Sequence, residues 1–284
     1  MTVYVDGEFQ WLDQDVGTGK GESSIRIGSS GVFTCKSEGS TFGTMGGLGA
    51  FGTLPSSPDY LEINNQGTVF VESDATITLD ANFTNAGKVI VNKGTLELLG
   101  AAEQEGSDTS TFQILNNSRV ILNTQNQSNI LGIRQGTILG NGAIGGNLSL
   151  GKGPNMAGAT TAPIISPGDP TNPIGTLRVT GNFKMFSGEM KIDVSDATKH
   201  DTVSVDGFAQ LGAVQPQPGG QPRPGGTIVG TLLQGDEIAA GTQIDFLERA
   251  DSANNSPFSS VVGLGTPNSG WEYGINATKA WYRW

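Results

Sequence analysis

The chain has 284 residues, 16 of them basic and 27 acidic, with a formal charge of −11 and 43 glycines. That balance argues against a nucleic-acid partner, whose phosphates demand a basic stripe, and no apolar run approaches the roughly 20 residues of a membrane span. Glycine without a collagen period, mixed with Thr, Asn, Ser and Val, points to many tight turns between short strands, and β-branched runs recurring from end to end argue against disorder.

Residues 1–35 read as an N-terminal cap and first coil. TVYV, FQWL and SSIRIGSSGVFTC repeat a strand, turn, strand grammar, and Tyr4, Phe9 and Trp11 supply either an apolar plug or ordinary core aromatics. The opening MTVYVDGEFQWLDQDVG has no basic n-region and no hydrophobic segment, so no signal peptide is expected in it. The single cysteine, Cys35, excludes an internal disulfide, and its place in GVFTC assigns it a buried apolar role. From residue 36 to 60 the composition changes to Gly, Ser, Thr and Pro, which predicts a Gly-rich loop or irregular coil. Gly47–Gly52 (GLGAFG) and Gly140–Gly145 (GNGAIG) match the dinucleotide fingerprint letter for letter, but neither opens a helix in a βαβ unit. Both are assigned to turns, and no cofactor is expected.

The stretch from Asn64 to Leu98 says nearly the same thing twice. Gly67 precedes TVFV and, after the break ESDA, TITL; Gly87 precedes KVIV and, after NKG, TLEL. Neither run can bury its apolar side chains without a neighbour stacked above or below it, and a period near twenty is one coil of a solenoid rather than a domain. Val69 should lie over Val89 and Val71 over Val91, with Gly67 and Gly87 at equivalent corners. The expected fold is all-β: a right-handed parallel β-helix (β-solenoid) over residues 61–214, closed by a C-terminal strand-rich cap. Coils continue through Phe112–Asn123 and Asn129–Leu150. Asn64, Asn65, Asn116 and Asn117 sit where the chain bends, since Asn tolerates left-handed backbone and bonds nearby main chain. Sequons at Asn82, Asn116, Asn126, Asn147, Asn254 and Asn276 are what an Asn- and Thr-rich chain generates by chance.

Residues 162–214 carry an ordered series: Ser166-Pro167-Gly168, Gly175-Thr176-Leu177, Gly181-Asn182-Phe183, Ser187-Gly188, the acidic strand Met190–Val194, and Asp201–Gly207. This series resembles the passenger-associated repeat of bacterial autotransporters and similar β-helical surface proteins. The likeness continues from Gly230 to Val262, the run that closes such passengers. It implies a right-handed β-helix with a binding or scaffold role. Gln215–Gly226 (QPQPGGQPRPGG) interrupts the pattern as a Pro/Gly loop insertion, and residues 227–284 supply the last coils and a C-terminal cap or interface segment.

The carboxylates and the one histidine are the groups that could carry chemistry. His200 has Asp201 beside it and Asp193, Asp196 and Asp206 nearby, but no serine motif or second histidine completes a triad. Glu62, Glu72 and Asp80 are spaced too irregularly to select a glycosidase pair, and no Cys/His group has zinc spacing. No catalytic, cofactor-binding or metal-binding residue is assigned. The residues singled out are Trp271, Tyr273, Trp281, Tyr282, Arg283 and Trp284, which either cap the last coil or contact another subunit. The expected function is a non-enzymatic structural or attachment protein on the exterior of a phage particle (fibre, spike or decoration protein) or of a bacterial surface (adhesin or matrix β-helix). Its partners would be other protein subunits, self or foreign, and surface polysaccharide. The alternative is a polysaccharide-binding or polysaccharide-cleaving β-helix of the tailspike or lyase kind.

Overall fold

The computed structural model describes residues 2–11, 16–17, 23–35, 41–43, 61–123, 129–151, 162–212, 226–233, 238–254, 260–264, 270, 272–276 and 278–283. Among these residues the protein is all-β, without helix, and nearly all of its strands pair in parallel. No helix is long and apolar enough to cross a membrane.

The pairings form three ladders, visited in turn as the chain proceeds. The first begins with Thr2–Val5, Ser23–Ile27 and Leu61–Asn65 and continues through the end of Thr68–Asn85 and Ala102–Gln104. The second begins with Glu8–Trp11, Val32–Cys35 and the start of Thr68–Asn85, then takes Lys88–Leu98, Thr111–Ile114, Thr137–Gly140 and Ile164–Pro167. The third takes the middle of Thr68–Asn85, the end of Lys88–Leu98, Arg119–Leu122, Ala143–Gly145 and Thr176–Val179. The described strands within residues 1–35 all pair into these ladders. Within residues 36–60, which read as a loop, Thr41–Gly43 is a strand of the third ladder; the rest of that segment, the GLGAFG motif and most of the 215–226 insertion lie outside the described residues.

Inward positions stack like on like. Val69 lies over Val89 and Val71 over Val91, as the doubled unit requires. The same column runs on through Phe112, Ile138, Ile165, Met190 and Ile228, all fully buried. Each such side chain contributes about 1.5–3 kcal/mol on leaving water. In the first ladder two rings stack on small neighbours, Phe83 on Ala102 and Phe183 on Ala209, which keeps the interior filled without crowding it.

The corners show why the repeat is loose. A Cβ on Gly67 would stand 2.2 Å from the Gly31 carbonyl oxygen, and one on Gly87 2.3 Å from that of Gly67, so this edge stacks glycine on glycine. At the next corner the sequence predicts a break, but the strands run straight through it. Thr68–Asn85 spans ESDA and Lys88–Leu98 spans NKG, with register shifts around Glu72 that absorb the one-residue difference between them. Asn116 and Asn117 have φ of 51° and 58°, the left-handed geometry anticipated for them. Asn65 turns inward: it donates to Asn85 Oδ1 at 2.7 Å, Asn85 donates to Gln104 Oε1 at 3.0 Å, and Gln104 donates to the Gln135 carbonyl at 2.9 Å. This buried amide ladder satisfies polar groups inside an otherwise apolar column.

Candidate functional site

At the C-terminal end the parallel pattern stops. Gln243–Asn254 pairs in parallel with Thr202–Leu211 on one side and antiparallel with Lys279–Arg283 on the other, and Glu272–Ile275 adds a further antiparallel strand outside Lys279–Arg283. Strand alternation divides the aromatic cluster between two faces. Ala280 and Tyr282 point in with Ile244 and Phe246, and all four are fully buried. The Phe246 and Tyr282 rings lie 4.8 Å apart, and Tyr273 meets Tyr282 edge-on at 6.4 Å. A Cβ at Gly230 would fall 2.7 Å from the Tyr282 hydroxyl oxygen, so the tyrosine fits only over glycine. Burial, and secondarily Tyr273, pushes the Tyr282 phenol well above its ordinary pKa.

Trp281 and Arg283 point out, yet both are engaged within the chain. Trp281 lies across Gly274, where a Cβ would come within 2.0 Å of its ring. The Arg283 guanidinium stands 4.6 Å from the Trp281 ring centre and donates to Gln243 Oε1 at 2.6 Å. Trp271 and Trp284 lie outside the described residues. Of the six residues singled out in the sequence, the structure thus brings Tyr273 and Tyr282 together over the column and Trp281 and Arg283 together on its outer surface.

Two further groups fasten this end. Arg249 is buried and donates from Nη1 to the Ala209 carbonyl at 3.2 Å and from Nη2 to the Asn276 carbonyl, tying the last parallel strand to the hairpin turn. Lys279 bonds Asp245 and stands 3.8 Å from Glu248. Burial opposes ionisation of Asp245, but the bonds from Lys279 and Gln243 and the Lys279 charge outweigh it and hold the carboxyl below its usual range.

The carboxylates around His200 are structural in their geometry. Asp201 is fully buried, accepting the Gly175 N–H at 2.8 Å on Oδ1 and the Asp193 N–H at 2.9 Å on Oδ2. Burial, with the nearby Asp193 charge, pushes it up to about 8 against those two bonds. Asp193 is also raised by burial, against a bond from Thr231. The His200 Nδ1 sits 3.1 Å from the Asp201 carbonyl oxygen. Beside them runs a turn chemistry the sequence reading missed. Asp169, Asp196 and Asn276 each accept, on one side-chain oxygen, the N–H of the residue two on, the hydroxyl of the threonine at that position, and the N–H three on. Its signal was legible as Asp-x-Thr or Asn-x-Thr after a strand.

The acids considered for a glycosidase pair each stack on a different residue. Glu62 stacks on Asn82 in the first ladder, Glu72 on Lys93 at the corner leaving the second, and Asp80 on Gly43 at the end of the third. Gly140–Gly145 forms a corner, with Gly140 at a φ of 130°. Among the described residues no group of three His, Cys, Asp or Glu side chains converges as metal ligands. No known family model matches the chain, and no curated protein matches it.

Proposed function

We propose that the three ladders are the faces of a right-handed parallel β-helix and that the protein is a rigid, non-enzymatic structural or attachment element on the exterior of a phage particle or a bacterial surface. The observation that carries this reading is the continuous register, in which each circuit covers the one before it from Thr2 to Val262. Such a stack makes a stiff rod whose lateral surface presents regularly spaced side chains, which suits a spacer or a platform for other subunits and for surface polysaccharide. The antiparallel hairpin with Tyr282 beneath it is read as a cap: it covers the apolar column and replaces an open parallel edge, the part of a sheet most prone to recruit another chain. The likeness of residues 162–214 to autotransporter passenger repeats supports the same class.

Location tests the reading. Antibody against the folded protein is expected to label intact virions or unpermeabilised cells of the source. Labelling only after lysis, or release of new reducing or unsaturated sugar ends from a polysaccharide panel by the purified protein, would overturn it.

A further inference from the structure

The outward side chains of the three ladders differ in character. The first presents Arg26, Asn64, Thr84 and Glu103, and the third presents Thr95, Arg119, Arg178 and Ser204. On the second ladder one outward column starts with Gln10 and the buried Thr34 and goes on through Phe70, Ile90, Gln113 and Leu139. It goes on through Ser166, Lys191, Val229 and Val262, the last 49% exposed. The parallel column beside it starts with Glu8 and Val32 and runs Thr68, Lys88, Thr111, Thr137, and then Ile164, Glu189, Thr227 and Ser260.

This face is complementary to itself when turned over. Take a two-fold axis lying in the face, along the strand direction, at the level of Thr137 and Leu139. Each level then meets the level equally far on the other side. Leu139 meets Leu139 of the second copy, Phe70 meets Val229, Thr68 meets Thr227 and Gln113 meets Ser166. Lys88 meets Glu189, and does so twice. Within one chain those two charges stand four levels apart, roughly 19 Å, too far to pair. Lys191, the remaining charge in the columns between Thr68 and Val262, has Asp193 beside it on its own strand, close enough for its charge to favour the ionised carboxyl, and its stem can lie along Ile90 of the second copy. The seven levels that pair in this way, from Thr68 to Thr227 and each about four residues wide, offer roughly 450 Å² per copy, the size of a small interface and one that fits a weak, reversible association.

We infer that the outer face of the second ladder is the interface of an antiparallel, two-fold dimer between copies of this chain. The inference rests on strand register and side-chain chemistry, not on where the protein is located. Sedimentation of the full chain across micromolar concentrations is expected to show a reversible monomer–dimer equilibrium. Lys88→Glu or Glu189→Lys alone, each placing like charges opposite one another twice, should weaken dimerisation at least about tenfold with the monomer's melting unchanged. The double variant should restore it. Leu139→Cys should form a disulfide-linked dimer on mild oxidation, because this position meets its own copy, whereas native Cys35 is fully buried and should remain unlinked. A protein that stays monomeric at every concentration, a charge swap that fails to restore association, or a Leu139→Cys protein that dimerises without cross-linking would each overturn the assignment.

Discussion

The doubled unit at Thr68–Leu98 and the hairpin of Glu272–Ile275 and Lys279–Arg283, packed beside Gln243–Asn254, both bury an apolar interior, but by opposite means. In the unit, Val89 is held by Val69 below and Phe112 above, and every contact is repeated one level away. In the hairpin, nothing repeats: Tyr282 fits over Gly230, Trp281 over Gly274, and Arg249 spans from Ala209 to Asn276. A parallel stack is thus specified by periodicity, whereas the antiparallel strands beside it are specified by single, non-interchangeable contacts. The two regions should respond differently to mutation.

The largest effect is expected inside the stack. Val89→Asp places an uncompensated carboxylate among fully buried side chains and should cost about 4 kcal/mol or more, leaving little soluble folded protein; thermal unfolding of any soluble fraction measures it. Arg249→Met keeps the apolar stem but leaves the carbonyls of Ala209 and Asn276 without their guanidinium donors, a loss of about 2 kcal/mol. It should loosen the hairpin selectively, seen as early proteolysis there while the ladders remain intact. The smallest effect is a pH slope. Because the folded-state pKa of Asp201 is raised to about 8, the protonated acid favours the fold, so its contribution is complete below the unfolded-state value near 4 and is lost as pH rises through 8. The midpoint should fall by a few degrees from pH 5 to pH 9, limited by the two N–H donors that stabilise the ionised form, and Asp201→Asn should flatten the slope. Asp169, Asp196 and Asp245, whose carboxyls are lowered, act only below that window.

The same contrast decides what could be read from the amino acids. Val69 over Val89 was legible because the repeat states it twice, and Asn116 and Asn117 were legible because few other residues accept positive φ. The continuity of the strand through ESDA was not, since a register shift leaves no compositional mark. Thr41–Gly43 was lost within a Gly-rich segment where three residues make no pattern. At the C-terminal strands the aromatic cluster was visible as composition, but its division into Tyr273 and Tyr282 inside and Trp281 and Arg283 outside depends on antiparallel pairing, most of it with partners some 35–40 residues away in the chain. Arg249 carried no local signal at all, because its partners are backbone carbonyls that any sequence supplies.

The most direct test of this division is native-state hydrogen exchange, read amide by amide. The amides of Val69, Val71, Val89 and Val91 are expected to exchange only through a large, shared opening, with those of Ala280 and Tyr282 exchanging through a separate opening of lower free energy. Equal protection of hairpin and ladder, or ladder amides that exchange faster than the hairpin, would contradict a division between a repeated column and a hairpin held by one-off contacts.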